Sequence, residues 1–306
     1  MDKILNYTNE NINAKLLGRL PSMIQLPIQE QLDRELGDKS IYNLAMAEFG
    51  EKWVDSHFEY MKPDVIFGSG VEGMVGSRYL RENGFKALSG DRLDNPDFTD
   101  LKDPKGRFDV IAAIPLTPVV DMRQANGRKV PENIEDLLNE EYENSIMYPD
   151  DGAMLKSIFL MYFYKIGGEE AVKRFRKNAI AGVHPSQMIK PGGVKEKPFI
   201  MLMAWFFARM KAMQNGMELV WFKNGNLTLP ITVSSRDTAE ARKITDVLFS
   251  KKTGEIFRKR GFFPSGSQCV DNELPGKLRF IGWDELYSGS LNDTISDLRR
   301  IMGGEA

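Results

Sequence analysis

Cysteine is nearly absent: Cys269 is the only one in 306 residues, which excludes an internal disulfide and any multi-cysteine zinc or iron–sulfur site. Histidine is almost as scarce. With His57 and His184 alone, a metal site would have to lean on carboxylates or tyrosines, and no spacing signals one. No long stretch carries one sign of charge. At 27% charged residues and a formal net charge of -2, the chain shows neither a nucleic-acid footprint nor a polybasic membrane patch, which leaves small molecules or proteins as partners. Long apolar runs are missing too. The candidate at 197–210, KPFIMLMAWFFARM, stops at Arg209, after about half of the ~20 apolar residues that a bilayer span needs. It reads as core or as the wall of a site.

The amino-terminal stretch MDKILNYTNENINAKLLGRLP is polar and Asn-rich, without the apolar core and small-residue cleavage site of a secretory signal. The chain therefore reads as a mature form whose leader was trimmed, or as a cytosolic protein. Its length suits two lobes of about 150 residues each.

Strand-like and helix-like patterns alternate, which argues for an α/β protein with largely parallel sheets. A short strand in INAKLLGRLP precedes a helix in MIQLPIQEQLDREL, and the β-branched run PDVIFGSG feeds a helix over VEGMVGSRYLRENG. The loop between those two would lie at the carboxyl end of a strand, where open α/β sheets bind ligands. FDVIAAIPLTPVVDM carries Pro115 and Pro118; prolines this close suggest a strand that leaves one sheet and crosses to another region, as an inter-lobe hinge would.

Farther on, Leu155, Ile158, Phe159, Tyr162, Phe163 and Ile166 form one apolar helical face that Gly167 and Gly168 end. MELVWFKNGNLTLPITVSS has Asn-Gly turn chemistry between two strand-like runs and reads as a return crossing. A helix capped by Asp237, with Glu240 three residues on, is followed by a second that stops at Gly261.

Several loops admit two readings. GSGVEG could hold a carboxylate or phosphate on backbone N–H groups, or simply be a tight turn that needs glycine. In YPDDGA, Asp150 and Asp151 are good helix caps, and two carboxylates there favour a hydroxyl-rich or cationic group, or backbone contact alone. His184, held extended by Pro185 and close to Ser186 and Gln187, is a ligand group or an ordinary surface histidine. Arg19, Arg78 and Arg209 could each grip a carboxylate or phosphate, with Arg19 favoured by its loop position. Nothing matches a nucleophile–base pair, a phosphate-cradling Gly-Lys loop or a metal-protease helix.

The ordered series PDVIFGSG, PLTPVVDM, MYPDDGAM and LPITVSSRDTAEARKITDVLFSKKTGEIFRKRGFFPSG resembles the solute-binding proteins of ATP-driven (ABC) transporters. The nearest group is the one that includes ferric-iron, thiamine and polyamine binders. The resemblance covers Asn13 to Gly266, and its most specific part runs from Leu229 to Gly266.

It implies a two-lobed periplasmic-binding-protein-like fold of type 2, each lobe a mostly parallel sheet flanked by helices, with two crossing hinge strands. Lobe 1 would comprise 1–115 and 230–270 and lobe 2 116–229, with a helical segment at 271–306 packing on the lobes. Carried over by position, the ligand contacts would be Arg19, Ser22, Ser69, Gly70, Val71, Thr117, Asp151, Gly152, Ala153, His184, Ser186 and Trp205.

The function implied is capture of a small organic ligand, with an anionic group allowed, by lobe closure. Transfer to an ABC-transporter permease would follow, at the periplasm or cell surface. No cofactor, no metal, no nucleic acid and a monomer are expected, and no enzyme activity. The alternatives are a cytosolic ligand sensor on the same fold, or an enzyme that uses the cleft. Ferric-binding members carry two adjacent tyrosines where this chain has Phe206 and Phe207. Phenylalanine has no donor oxygen, so that route to iron is lost. A buried strand over 205–207 would point Trp205 and Phe207 one way and Phe206 the other.

Overall fold

The computed structural model describes residues 14–37, 43–46, 55–93, 95–150, 155–190, 193, 195–266, 272–289 and 291–303. In chain order the strands and helices begin with β1 (Lys15–Arg19), α1 (Ser22–Leu36), β2 (Asn43–Met46), α2 (Asp55–Met61), β3 (Val65–Gly68), α3 (Val71–Val75), α4 (Arg78–Glu82) and β4 (Asp109–Asp121). Next come β5 (Ile146–Pro149), α5 (Leu155–Asn178), β6 (Ala179–Val183), α6 (Pro185–Met188), β7 (Ile200–Ala204), α7 (Trp205–Ala212) and β8 (Met217–Leu219). The last are β9 (Asn226–Ser235), α8 (Ala239–Leu248), α9 (Lys251–Lys259), β10 (Phe263–Pro264), β11 (Leu278–Arg279), α10 (Trp283–Leu286) and α11 (Leu291–Ile301). The chain divides into two compact units, 1–113 with 230–273 and 114–229 with 274–306. It passes from one to the other inside β4, again inside β9 and a third time between 273 and 274.

In the first unit β1 pairs in parallel with both β2 and β3. β3 then meets β9 antiparallel, and β10 runs antiparallel to β4. α1 covers this sheet because Ile24, Ile28 and Leu32 recur every four residues and are all buried, the stripe that a 3.6-residue period demands. The helix ends at Gly37, left-handed at φ 67°, whose N–H closes on the Asp33 carbonyl. The helix expected over 71–84 is two short ones. Ser77 breaks it by capping α4 through Leu80 N at 3.1 Å, while its hydroxyl bonds to Asp55. The helix after β9 is capped by Thr238, whose Oγ1 accepts from Ala241 N at 3.1 Å. Asp237, the expected cap, is held by Lys86 and Arg242 instead.

In the second unit β5 lies parallel to β6 and β7, and β7 and β8 run antiparallel to β4. β4 is one continuous strand through both prolines, buried along all 13 residues. α5 packs an aromatic cluster against the sheet: Phe159, Phe163 and Phe175 are fully buried, with Tyr148 edge-on to Phe159 and Phe175. Truncating one of these rings to alanine costs about 3–5 kcal/mol. At Gly167 and Gly168 the backbone leaves helical geometry, with Gly168 at φ 61° and ψ -156°, and a second helical stretch continues to Asn178. The segment 274–303 belongs to this unit; Arg176 donates to the Ile301 carbonyl at 2.7 Å, fixing α11 to α5. Among the described residues no helix is long and apolar enough to cross a membrane.

Candidate functional site

In the first unit Arg19 stands opposite Gly68 in the β1–β3 ladder, so the carboxyl ends of two parallel strands deliver Arg19–Ser22 and Ser69–Val71 to one place. Gly68 has φ 140°, and a Cβ there would lie 2.1 Å from the Arg19 carbonyl oxygen; only glycine permits so close a backbone approach. The Ser69 N–H donates to that oxygen at 3.0 Å, and Arg19 Nε donates back to the Ser69 carbonyl at 3.1 Å. Arg19 is 1% exposed, a buried cation turned onto the loop. Gly70, at φ 95°, leads into Val71, the buried first residue of α3. Ser22 opens α1 behind Pro21 and is exposed.

In the second unit the carboxyl ends of β5, β6 and β7 carry Asp150, His184–Ser186 and Trp205. Asp150 N donates to the Val183 carbonyl at 3.0 Å, which joins the first two loops. The Asp150 carboxylate pairs with Lys156 at 3.0 Å, and that ammonium sits 5.5 Å from the Tyr148 ring centre. Asp151, Gly152 and Ala153 lie outside the described residues. His184 caps α6: its Nδ1 accepts the Ser186 N–H at 3.2 Å and lies 2.7 Å from Ser186 Oγ. An accepting Nδ1 sets the neutral ring in the Nε2–H tautomer, leaving an exposed imidazole with a donor to offer.

Trp205 does not continue a strand. β7 ends at Ala204 and Trp205 is the first residue of α7, so the alternation expected over 205–207 gives way to a helical arrangement. Trp205 packs edge-on to Trp221, centres 5.4 Å apart. Phe207 packs on a core that includes Met147, Met188, Met201 and Met203. Thr117 is fully buried, its hydroxyl accepting from Asn226 Nδ2 at 3.2 Å and lying 3.4 Å from the Pro115 carbonyl oxygen. Burial pushes the phenols of Tyr148, Tyr142 and Tyr162 up from the ordinary tyrosine value, so forming a phenolate ligand at any of them carries a desolvation cost.

A family model described as bacterial extracellular solute-binding protein matches residues 61–289. The chain belongs to that family. Among solved structures the solute-binding protein is similar to FutA (IdiA) from Trichodesmium in complex with iron and citrate ligands, with a TM-score of 0.67 and 14% identity over 95% of this chain and 100% of that one. AfuA from Actinobacillus pleuropneumoniae with exogenous fructose-6-phosphate bound gives 0.66 and 13% over 95% and 98%. Iron-bound HitA from Pseudomonas aeruginosa gives 0.67 and 13% over 94% and 99%. No curated protein matches the chain in sequence. The fold is thus the two-lobed periplasmic-binding-protein fold of type 2.

Within the solute-binding protein, those of the expected residues that are described fall into two groups, one at the strand ends of each unit, with Thr117 engaged inside β4. Sequence reasoning passed over Lys156 and Asn226. Lys156 lies on the first turn of a helix, where a lysine carries no signal of its own. Asn226 follows directly on the Asn224-Gly225 turn and was absorbed into it.

Proposed function

We propose that this solute-binding protein captures a small organic ligand, an organic anion among the candidates, through its strand-end loops. It then delivers that ligand to an ABC permease at the periplasm or cell surface. Binding without chemical change is the reading that its family membership supports. The observation that carries the ligand class is the β7–α7 junction, where the strand-end residue Trp205 is aromatic and the adjoining Phe206 and Phe207 carry no donor oxygen. Such rings suit stacking on a flat group or cation–π contact. The first unit adds the loop N–H groups of Gly70 and Val71, and His184 adds a ring donor, both apt for an anionic group. FutA and HitA hold iron and AfuA holds fructose-6-phosphate; the aromatic junction supports a ligand of the organic kind for this chain.

Native mass spectrometry of the purified protein should show a retained small organic molecule that leaves on denaturation. Titration with ferric citrate should raise no visible tyrosinate-to-iron charge-transfer band. A stoichiometric band would overturn the organic-ligand reading.

A further inference from the structure

We propose that Arg19 is a positioning residue that locks the Ser69–Gly70 peptide in one of its two orientations and so aims the Gly70 N–H at the ligand. This rests on the reading of the Ser69–Val71 loop as a ligand contact. Arg19 Nε holds the Ser69 carbonyl at 3.1 Å, while the Ser69 N–H is spent on the Arg19 carbonyl at 3.0 Å. The carbonyl of Ser69 and the N–H of Gly70 belong to one planar peptide, and no cis peptide occurs among the described residues. In a trans unit these two groups point in opposite directions. Pinning the carbonyl to Arg19 therefore turns the N–H to the far side.

The lock has something to resist. The Ser69–Gly70 peptide turns on ψ of Ser69 and φ of Gly70, and Gly70, at φ 95°, is the residue type most tolerant of such a flip. A flipped peptide would present a carbonyl where an anion needs a donor. The placement of the charge makes the same point. A guanidinium on a residue 1% exposed is costly to bury, and β1–β3 pairing through Gly18↔Phe67 and Arg19↔Gly68 needs only backbone. The side chain is used one residue beyond the ladder, where the strand gives way to the loop.

The test is amide hydrogen exchange on the full-length protein without ligand, comparing wild type, Arg19→Lys and Arg19→Gln. In Arg19→Gln the amides of Ser69–Val71 should exchange about tenfold faster, while those of Ile200–Ala204 and of β1 stay as in wild type. Arg19→Lys, which keeps the charge and loses the planar fork, should fall between. Unchanged loop exchange in Arg19→Gln overturns the proposal, as does acceleration spread evenly over the first unit. Should Arg19→Gln fail to fold, Arg19→Lys decides by the same criteria, and failure of both variants to fold overturns it in favour of a purely structural role.

Fructose-6-phosphate and inorganic phosphate serve as binding probes by calorimetry. Where wild type binds either, Arg19→Gln should bind it about tenfold more weakly, and equal binding overturns the proposal. If wild type binds neither, these two anions are not its ligands, and the exchange result alone decides the role of Arg19.

Discussion

The Asn226 amide donates to the Thr117 hydroxyl at 3.2 Å while its own oxygen accepts the Phe222 N–H at 2.8 Å, and Asn226 and Thr117 are both fully buried. One side chain thereby ties the start of β9 to β4 and closes the turn that precedes it. Asn226→Ala would leave the Phe222 N–H buried without its acceptor, a loss of about 1–3 kcal/mol. Urea unfolding should show a lower midpoint with an unchanged slope; a midpoint equal to wild type would show that the bracket contributes nothing.

Glu135 sets a pH dependence. Burial would raise its carboxyl, but hydrogen bonds from Tyr162, its own backbone, Asn224 and Arg279 outweigh that and hold it below the ordinary glutamate value. With the folded value below the unfolded one, the stabilisation is complete above the unfolded value and drains away as pH falls through the folded one. Melting temperature should therefore fall with acidification across roughly pH 6 to 3, and Glu135→Gln should flatten part of that fall. Parallel wild-type and Glu135→Gln curves would refute the assignment.

A methyl group on Gly276 would lie 2.6 Å from both Cδ1 and Nε1 of Trp221, whose indole N–H donates to the Lys277 carbonyl at 3.2 Å. Gly276→Ala should push the ring off this seat and disturb its edge contact with Trp205. A shift in tryptophan emission and loss of near-ultraviolet dichroism, with far-ultraviolet dichroism retained, is the expected record.

Gly168 holds φ 61° and ψ -156°, a region closed to residues with a Cβ. Gly168→Ala should cost about 1–3 kcal/mol, measured as a lower melting temperature. Gly84, at φ 69° with open space around it, offers a comparison: Gly84→Asn should be tolerated, because asparagine visits that conformation with little strain.

Periodic and glycine-marked features were legible in the chain. β1, β3 and α1 follow from apolar spacing, the break at Gly167–Gly168 from the glycine pair, and the stop from Gly261, which the structure sets at a left-handed φ of 80°. Local competition was less so. Ser77 divides a helix because its hydroxyl serves both Leu80 N and Asp55, 22 residues away. Asp237 loses the cap to its neighbour because Lys86 and Arg242 claim its carboxylate. Trp205 opens a helix although the run before it reads as strand, since aromatic and alanine residues suit both states and only the end of the β4 partnership, at Leu116↔Ala204, stops the ladder. The Glu135–Arg279 pair spans 144 positions, beyond any local pattern. Arg19, expected in a loop, is the last residue of β1, and its inward turn depends on the approach that Gly68 allows.

The chain changes unit three times, inside β4, inside β9 and between 273 and 274, and the order of assembly follows from this. A ribosome releases 114–229 before it makes 230–273, so the interrupted first unit waits for its closing piece while much of its neighbour is already out. The second unit waits in turn for 274–306. Neither half can finish early, and during synthesis β3 stands without its β9 partner for more than 160 residues. A nascent chain of this design exposes an unpaired strand edge longest in its first-made part, the stage at which edge-to-edge pairing with another chain is most open to it.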